Sequence, residues 1–470
     1  MNTPIYHHLK KLITDQRIPF HMPGHKRKKN TVYGEAGKID ITEITGYDNL
    51  HHPEGIIRQS MDQLKQIYGS RESWYLVNGS TVGILASISA VCRPGDKILI
   101  QRNCHKAVYN AIRLLHLQSF YICPEENIEY DISMDMEEKE REEIRKILKR
   151  EPDIKAIVVT SPTYEGIVTD IRKLKKVIQE ENENIILIVD EAHGAHMIFD
   201  SYFPESAVKC GGDLVIQSAH KTLPSLTQSA LLHLCTDKIS PEKIQDMLSV
   251  YETSSPSYLL MMSAEYGVMY MHKKRKKVLE YVDNLKNFRE QCGQLKHICL
   301  LDKKKLGCFD YDGGKLVFSV KNSNIEGKML FHKLLEEYHI ELEMENISYV
   351  VAMTSVMDET EDFEKLFQAL KEIDNCMEKR EKAVFHYPLT IPEKKAEIWE
   401  CEEIKREKII LSEAAGRTVG SYIMLYPPGI PLLVPGEKIV KEMVENISYY
   451  LYNGYNVLGL ENGMISVLCE

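Results

Sequence analysis

Between residues 70 and 235 the chain alternates short apolar runs with amphipathic ones, and this alternation limits the fold more than any other feature. "KILIQ" (97–101), "KAIVVTS" (155–161), "NIILIVDEA" (184–192) and "DLVIQS" (213–218) are short, β-branched and apolar on both faces. Runs of that kind suit strands buried on both sides of a sheet. Helical patterns separate them at 80–92, 105–117, 135–150 and 170–181. In the last, Ile171, Leu174, Val177 and Ile178 recur among lysines and glutamates, giving one apolar stripe on a solvated helix. The alternation predicts a mostly parallel sheet covered by helices, an α/β domain. Ligands of such sheets bind beyond the carboxyl ends of the strands.

A chain of 470 residues is too long for one ordinary domain. Beyond about residue 300 the texture changes. "KLVFSV" (315–320), "KMLFHKLLEEYH" (328–339), "ISYVVAMTSV" (347–356) and a helical run at 359–373 predict a βαβα order and a smaller α+β domain. The division expected is a segment 1–70, a large α/β domain 71–300 and a smaller C-terminal α+β domain 301–470. "YPPGIPLLVPGE" (426–437) has too many prolines for a central strand or a helix and reads as a rigid loop. "MEEKEREEIRKILKRE" (136–151) reads as a solvated helix face, and "HKKRKKV" (272–278) as the exposed continuation of the helix before it.

Hydrophobic residues make up 43% of the chain and charged ones 27%, as in a globular protein with a sizeable core. The balance of 59 basic against 69 acidic residues, a net charge of −10, argues against a nucleic-acid or membrane-surface role. No apolar run approaches the roughly 18 residues that span a bilayer. "MNTPIYHHLKKLI" lacks the features of a signal peptide, so a cytoplasmic location is expected. The eleven cysteines form no C-x-x-C and no cysteine-histidine cluster, so most read as buried thiols in a reducing compartment. His7-His8 and His51-His52 are adjacent pairs whose side chains do not converge on one ion. No metal is expected.

Three features fall at the ends of the proposed strands. Lys221 follows "DLVIQS" amid Ser218, Ala219, Thr222, Ser225 and Ala230, with no carboxylate nearby after Asp213. Asp190 closes an apolar strand in "VDEAHG", and "NGSTVG" (78–83) opens a helix with small residues and hydroxyls. Plainer readings exist for two of them: Lys221 as a loop lysine, and Asp190 as a carboxylate capping a turn or as part of a DEAH nucleotide-hydrolase string at 190–193. The hydrolase reading also needs a G-x-x-x-x-G-K-[ST] loop, which the sequence lacks. Pyridoxal phosphate uses all three features. It needs a lysine amine for its aldehyde, a carboxylate beside its pyridine nitrogen, and hydroxyls and amides for its phosphate. Lys221, Asp190, and Gly79, Ser80 and Thr81 at a helix start can supply them. A partly desolvated lysine has the lowered pKa this chemistry requires.

Seven blocks in order then resemble one family, in a likeness that begins at "FHMPGHK" (20–26): "DITEITGYDNLHHPEG", "WYLVNGSTVG", "RNCHKAVYNA", "SPTYEGIVTDI", "IVDEAHGAH", "SAHKTLPSLTQSALLH" and "YPPGIPLLVPGE". The chain resembles the short-form Orn/Lys/Arg decarboxylases, pyridoxal-phosphate enzymes of the aspartate aminotransferase fold type. The resemblance implies that Lys221 holds the cofactor, Asp190 pairs with its pyridinium, and His105 stacks on its ring. It places Ser80, Thr81, Ser218 and His220 on the phosphate, Ala192 beneath the ring and His193 close by. "TSSPSY" (253–258) resembles a segment that lends a hydroxyl, Ser254 or Ser255, to the other subunit's site. That implies a homodimer or higher homo-oligomer with shared active sites, to which segment 1–70 contributes. Asn49 and Tyr47 depart from the family's usual aspartate and leucine, which bears on substrate choice.

The implied reaction is decarboxylation of arginine, lysine or ornithine to an amine that feeds polyamine synthesis. A cationic substrate side chain calls for an acid, and Glu413, Glu437 and Glu165 are the candidates. An aminotransferase or aldolase-like lyase could use the same fold, with Arg417 as a carboxylate binder. A cofactor-binding scaffold or regulator is the non-enzyme alternative, though it would not need all three features.

Overall fold

The computed structural model describes residues 3–14, 17–28, 31–380, 391–425 and 429–469. Its centre is a seven-stranded sheet built from β1 (Glu72–Leu76), β2 (Lys97–Gln101), β3 (Gln118–Ile122), β4 (Ile154–Thr160), β5 (Ile186–Asp190), β6 (Leu214–Gln217) and β7 (Ala230–Leu234), in the order β1-β7-β6-β5-β4-β2-β3. β7 pairs antiparallel with both neighbours, and the strands from β6 to β3 pair parallel. Every residue of β5, β6 and β7 is buried, as the runs apolar on both faces require.

Helices connect these strands where periodicity predicts them. α1 (Gly79–Val91) and α2 (Lys106–Leu114) follow β1 and β2, and α3 (Ile171–Glu181) precedes β5. Ile171, Leu174, Val177 and Ile178 are the buried residues of α3, and Asp170 caps it by accepting from the Lys173 amide at 3.0 Å. α4 (Ala219–Thr222) is one short turn at the end of β6. A Cβ on Gly83 would lie 2.7 Å from Leu76 and 2.9 Å from Ile216, so glycine there lets α1 press onto the sheet. Helix starts, like "NGSTVG", therefore collect at the carboxyl edge.

A second sheet joins β8 (Cys299–Leu300), β9 (Lys315–Ser319), β10 (Met344–Glu345) and β11 (Tyr349–Met353) in the order β8-β9-β11-β10, antiparallel throughout. Helices Gly327–Tyr338 and Thr360–Asn375 follow β9 and β11, matching the expected βαβα order. A two-stranded ribbon pairs Tyr311 with Ile167 and Asp310 with Val168. It ties this sheet to the large one and brings the start of β9 under the cavity described below. Residues 406–468 add two three-stranded sheets around a separate core that includes Leu411, Val419, Ile423, Leu433, Ile447 and Val467.

Three expectations need correction. The proline-rich run is not loop throughout, because Ile430–Leu433 is a strand paired with Ile423–Leu425. It lies at the sheet's edge, where Pro431 needs no ladder hydrogen bond on its outer side. The basic run 272–278 straddles two helices, Tyr258–Lys273 and Arg275–Cys292, since Lys274 leaves helical geometry (φ −95°, ψ 48°). Five of the eleven cysteines are buried, five are half-buried and Cys376 is exposed, so burial of most of them does not hold. No helix of the described residues is long and apolar enough to cross a membrane.

Candidate active site

A cavity of about 370 Å³ opens at the carboxyl ends of β4, β5 and β6, and ten of the residues predicted to hold the cofactor line it. They are Gly79, Ser80, Thr81, His105, Asp190, Ala192, His193, Ser218, His220 and Lys221. A larger groove of about 1150 Å³ beside the second sheet, lined by residues such as Tyr338, Asp358 and Phe363, contains none of them. Volume alone does not locate the chemistry.

Asp190 ends β5, opposite Thr160 of β4 and Ile216 of β6. Its carboxylate is buried and accepts from the Ala192 amide at 3.2 Å. Burial raises its pKa, while His105 and Lys221 pull the other way. Lys221 sits on α4, one turn past β6. Desolvation lowers its pKa, and Asp190 and Glu343 oppose that shift. Its Nζ lies 3.0 Å from His193 Nε2. The two groups thus arrive from adjacent strands at one cleft.

The DEAH string divides by side. Asp190 and His193 face the cavity, whereas Glu191 is buried behind it. There Glu191 accepts from Ser206 Oγ, the Ala207 amide and Gln217 Nε2, each at 2.6 Å, and burial lifts its pKa to about 7.

α1 starts at the cavity with no side-chain cap and no acidic residue in its first turn. Gly79, at φ +75°, takes the left-handed turn into it and donates to Gln228 O at 2.8 Å. An uncapped first turn leaves amides that suit an anion. Ser218 Oγ donates to Ser80 Oγ at 3.0 Å, so the hydroxyls of two elements meet there. His220 is held by Ser229 O through Nδ1 at 2.9 Å.

His105 holds two positions at once. It caps α2, its Nδ1 accepting from the Ala107 amide at 3.2 Å, and it also lines the cavity. Although exposed, it is close enough to protein that desolvation lowers its pKa.

Ser254 and Ser255 do not line this cavity. Both are exposed on the segment before the helix Tyr258–Lys273, held beside α1 by the Thr253 amide donating to Asn78 Oδ1 at 3.2 Å. The three acids separate clearly. Glu165 lines the cavity and accepts from Tyr349 OH at 2.8 Å. Glu437 is buried, taken by Arg102 at 3.0 Å and by the Val434 amide at 2.7 Å. Glu413 is exposed outside the cavity lining.

Sequence reasoning missed Asn103, Thr160, Thr163 and Tyr164 in the lining, and missed Lys315. Lys315 opens β9, is 1% exposed, and places its Nζ 2.7 Å from His193 Nδ1. The only signal in the sequence is a lysine leading an apolar strand after the turn "DGG".

Residues 3–331 match the major domain of the Orn/Lys/Arg decarboxylases, and residues 382–454 match their C-terminal domain. The chain belongs to the Orn/Lys/Arg decarboxylase family. It is 32% identical to an arginine decarboxylase of Bacillus subtilis, over 99% of this chain and 97% of that one. An arginine decarboxylase of Bacillus anthracis is 29% identical over 99% of this chain and 96% of its own length. Among solved structures, a lysine decarboxylase of Francisella novicida superposes with a TM-score of 0.82 at 19% identity, covering 100% of this chain and 81% of that one.

Membership in the Orn/Lys/Arg decarboxylases implies pyridoxal phosphate, and the residues present fit it. An amine and a carboxylate share the cleft, and an uncapped helix start faces it. Asn103 Oδ1, buried in the lining, has no partner within the described residues. A polar group left so is costly unless a ligand or water reaches it.

Proposed function

We propose that this chain uses pyridoxal phosphate to decarboxylate a basic amino acid, arginine before lysine or ornithine, giving the amine and CO₂ for polyamine synthesis. The observation that carries the reading is the convergence of Lys221 and Asp190 on one cavity. Relatives that match over 99%, 99%, 96% and 92% of this chain carry the name arginine decarboxylase, which supports arginine.

When bound, the cofactor supplies the electron sink for the pair left by the departing carboxylate. The chain's own residues prepare for it. Lys221, desolvated, would offer a neutral amine to the aldehyde carbon. Asp190 would keep the pyridine nitrogen protonated. The first turn of α1, with Ser80, Thr81 and Ser218, would hold the phosphate, and His105 and Ala192 would bound the ring. Glu165, open to the cavity, is the acid we assign to the substrate's cationic side chain. The buried part of the wall, at Asp190, Ala192, His193 and Ser218, would strengthen the contacts made there.

The unit we assign is at least a homodimer with shared sites, and the division 1–70, 71–300 and 301–470 belongs to the same reading. Ser254 and Ser255 lie exposed outside their own cavity, and Phe20 and Val32 of the first segment are more than nine-tenths exposed, which supports it. The aminotransferase alternative loses its arginine. Arg417 donates to Leu468 O at 3.1 Å, pairs with Glu407, and does not line the cavity.

Incubating the protein and cofactor with arginine, lysine and ornithine, and measuring CO₂ and amine, tests the proposal. Agmatine with CO₂ supports it, and keto acid alone would favour the aminotransferase.

A further inference from the structure

His193 is buried, and each of its ring nitrogens meets a lysine. Nε2 lies 3.0 Å from Lys221 Nζ, and Nδ1 lies 2.7 Å from Lys315 Nζ. Desolvation, reinforced by both lysines, holds the imidazole well below the usual histidine range, so the ring is neutral. A neutral imidazole has one N–H and one bare nitrogen. The lysine facing the N–H must accept through an amine lone pair and is uncharged, while the other donates. The line Lys221–His193–Lys315 therefore has room for a single ammonium.

Lys315 comes from the second sheet, and its place is built. Gly166, at φ +100°, lies against its stem, and a Cβ there would be 2.8 Å from Lys315 Cγ. The Tyr164 ring centroid lies 5.3 Å from Nζ. The other charges that face it are Asp312, Lys221, Glu343 and Glu165, with Asp312 itself held 3.1 Å from His196. Burial outweighs the acids and brings the amine down to about 8.

We propose that Lys315 is a positioning residue for the proton on Lys221, reloading it through His193. With Lys221 Nζ free, the Lys315 ammonium gives a proton to Nδ1 as Nε2 releases one to Lys221. Lys315 Nζ–H and His193 Nε2–H break, and His193 Nδ1–H and Lys221 Nζ–H form. One charge moves, and the imidazole ends neutral in its other tautomer. Decarboxylation needs such a supply, because replacing the Cα–carboxylate bond by Cα–H consumes one proton per CO₂, drawn finally from water. The inference rests on the decarboxylase reading.

The test uses loaded enzyme carrying Lys315→Met, His193→Phe or both, assayed from pH 6 to 9. Lys315→Met keeps the yellow absorbance of the lysine-bound cofactor. Its KM stays within about twofold, while kcat falls roughly 10- to 100-fold at pH 8 and less at pH 6. The double variant is no slower than the slower single one. Ethylamine restores turnover to Lys315→Ala, and propanol, which fills the space without an amine, does not. An unchanged profile, an equal loss at every pH, or losses that multiply in the double variant would overturn the relay. Independently of turnover, ¹⁵N NMR of the His193 ring without cofactor reads a neutral imidazole at pH 7. The position of its proton responds as Lys315 titrates and no longer responds in Lys315→Met. An imidazolium at pH 7 contradicts the relay, whereas wild-type protein that releases no CO₂ but shows this response fails only the decarboxylase reading.

Discussion

Asp190 and Lys221 come from adjacent parallel strands and meet across one cleft, each opposing the other's desolvation. Asp190 closes β5, and Lys221 stands one turn beyond β6. Burial raises the acid and lowers the amine, and the attraction between them works against both shifts. In the role we propose for them, a protonated ring nitrogen beside Asp190 and a carbonyl beside Lys221 would satisfy both.

Asp190→Asn removes the charge and keeps the shape. Cofactor retention should weaken, read as yellow absorbance lost on dialysis, and kcat should fall on the order of 10²-fold or more. Wild-type retention and rate would remove Asp190 from its assigned role.

Glu165→Gln leaves the hydrogen-bonding outline but not the negative charge. KM for arginine should rise about tenfold or more, the worth of a charge-assisted contact, with the cofactor's absorbance unchanged. The same change at Glu413, exposed outside the cavity, should leave KM alone.

Much of this site was legible in the chain. Runs such as "NIILIVDEA" are apolar on both faces, and only a doubly covered strand buries them, so Asp190 had to end at a sheet's carboxyl edge. "NGSTVG" supplied a helix start of small residues and hydroxyls for the same edge. Lys315 was not legible, because its role comes from the ribbon joining residues 167–168 to 310–311, a pairing across distant sequence that leaves no local periodicity. Pro431 misled for the opposite reason. Proline predicts a loop locally, and an edge position in a sheet removes the objection. Glu437 was a fair candidate by charge until Arg102, far off in sequence, occupied it.

That Arg102–Glu437 pair anchors the C-terminal part to the large sheet. The side chains are 0% and 1% exposed, and Arg102 also donates to Pro431 O at 3.0 Å. Glu437→Leu strands a buried guanidinium and should cost roughly 3–5 kcal/mol, seen as a lower denaturant midpoint. Replacing both partners by apolar residues should cost less than either single change.

Lys315 also sets a pH dependence of stability. Its amine sits near 8 when folded against 10.5 in the open chain, so between those values the unfolded state binds more protons. Stability rises with pH across that window, and the penalty is fully present below about 8. It is on the order of 3 kcal/mol, more than the roughly 1 kcal/mol of the hydrogen bond to His193. Lys315→Met should therefore resist denaturant better than wild type at pH 7, with the advantage shrinking toward pH 10. A variant less stable at pH 7 would contradict this.

The most direct test compares wild type with Lys221→Ala, each incubated with pyridoxal phosphate and carboxyl-labelled arginine. Wild type should turn yellow and release labelled CO₂ with one agmatine for each, while Lys221→Ala, equally folded by circular dichroism, should do neither. Labelled CO₂ released by Lys221→Ala at the wild-type rate would contradict the account.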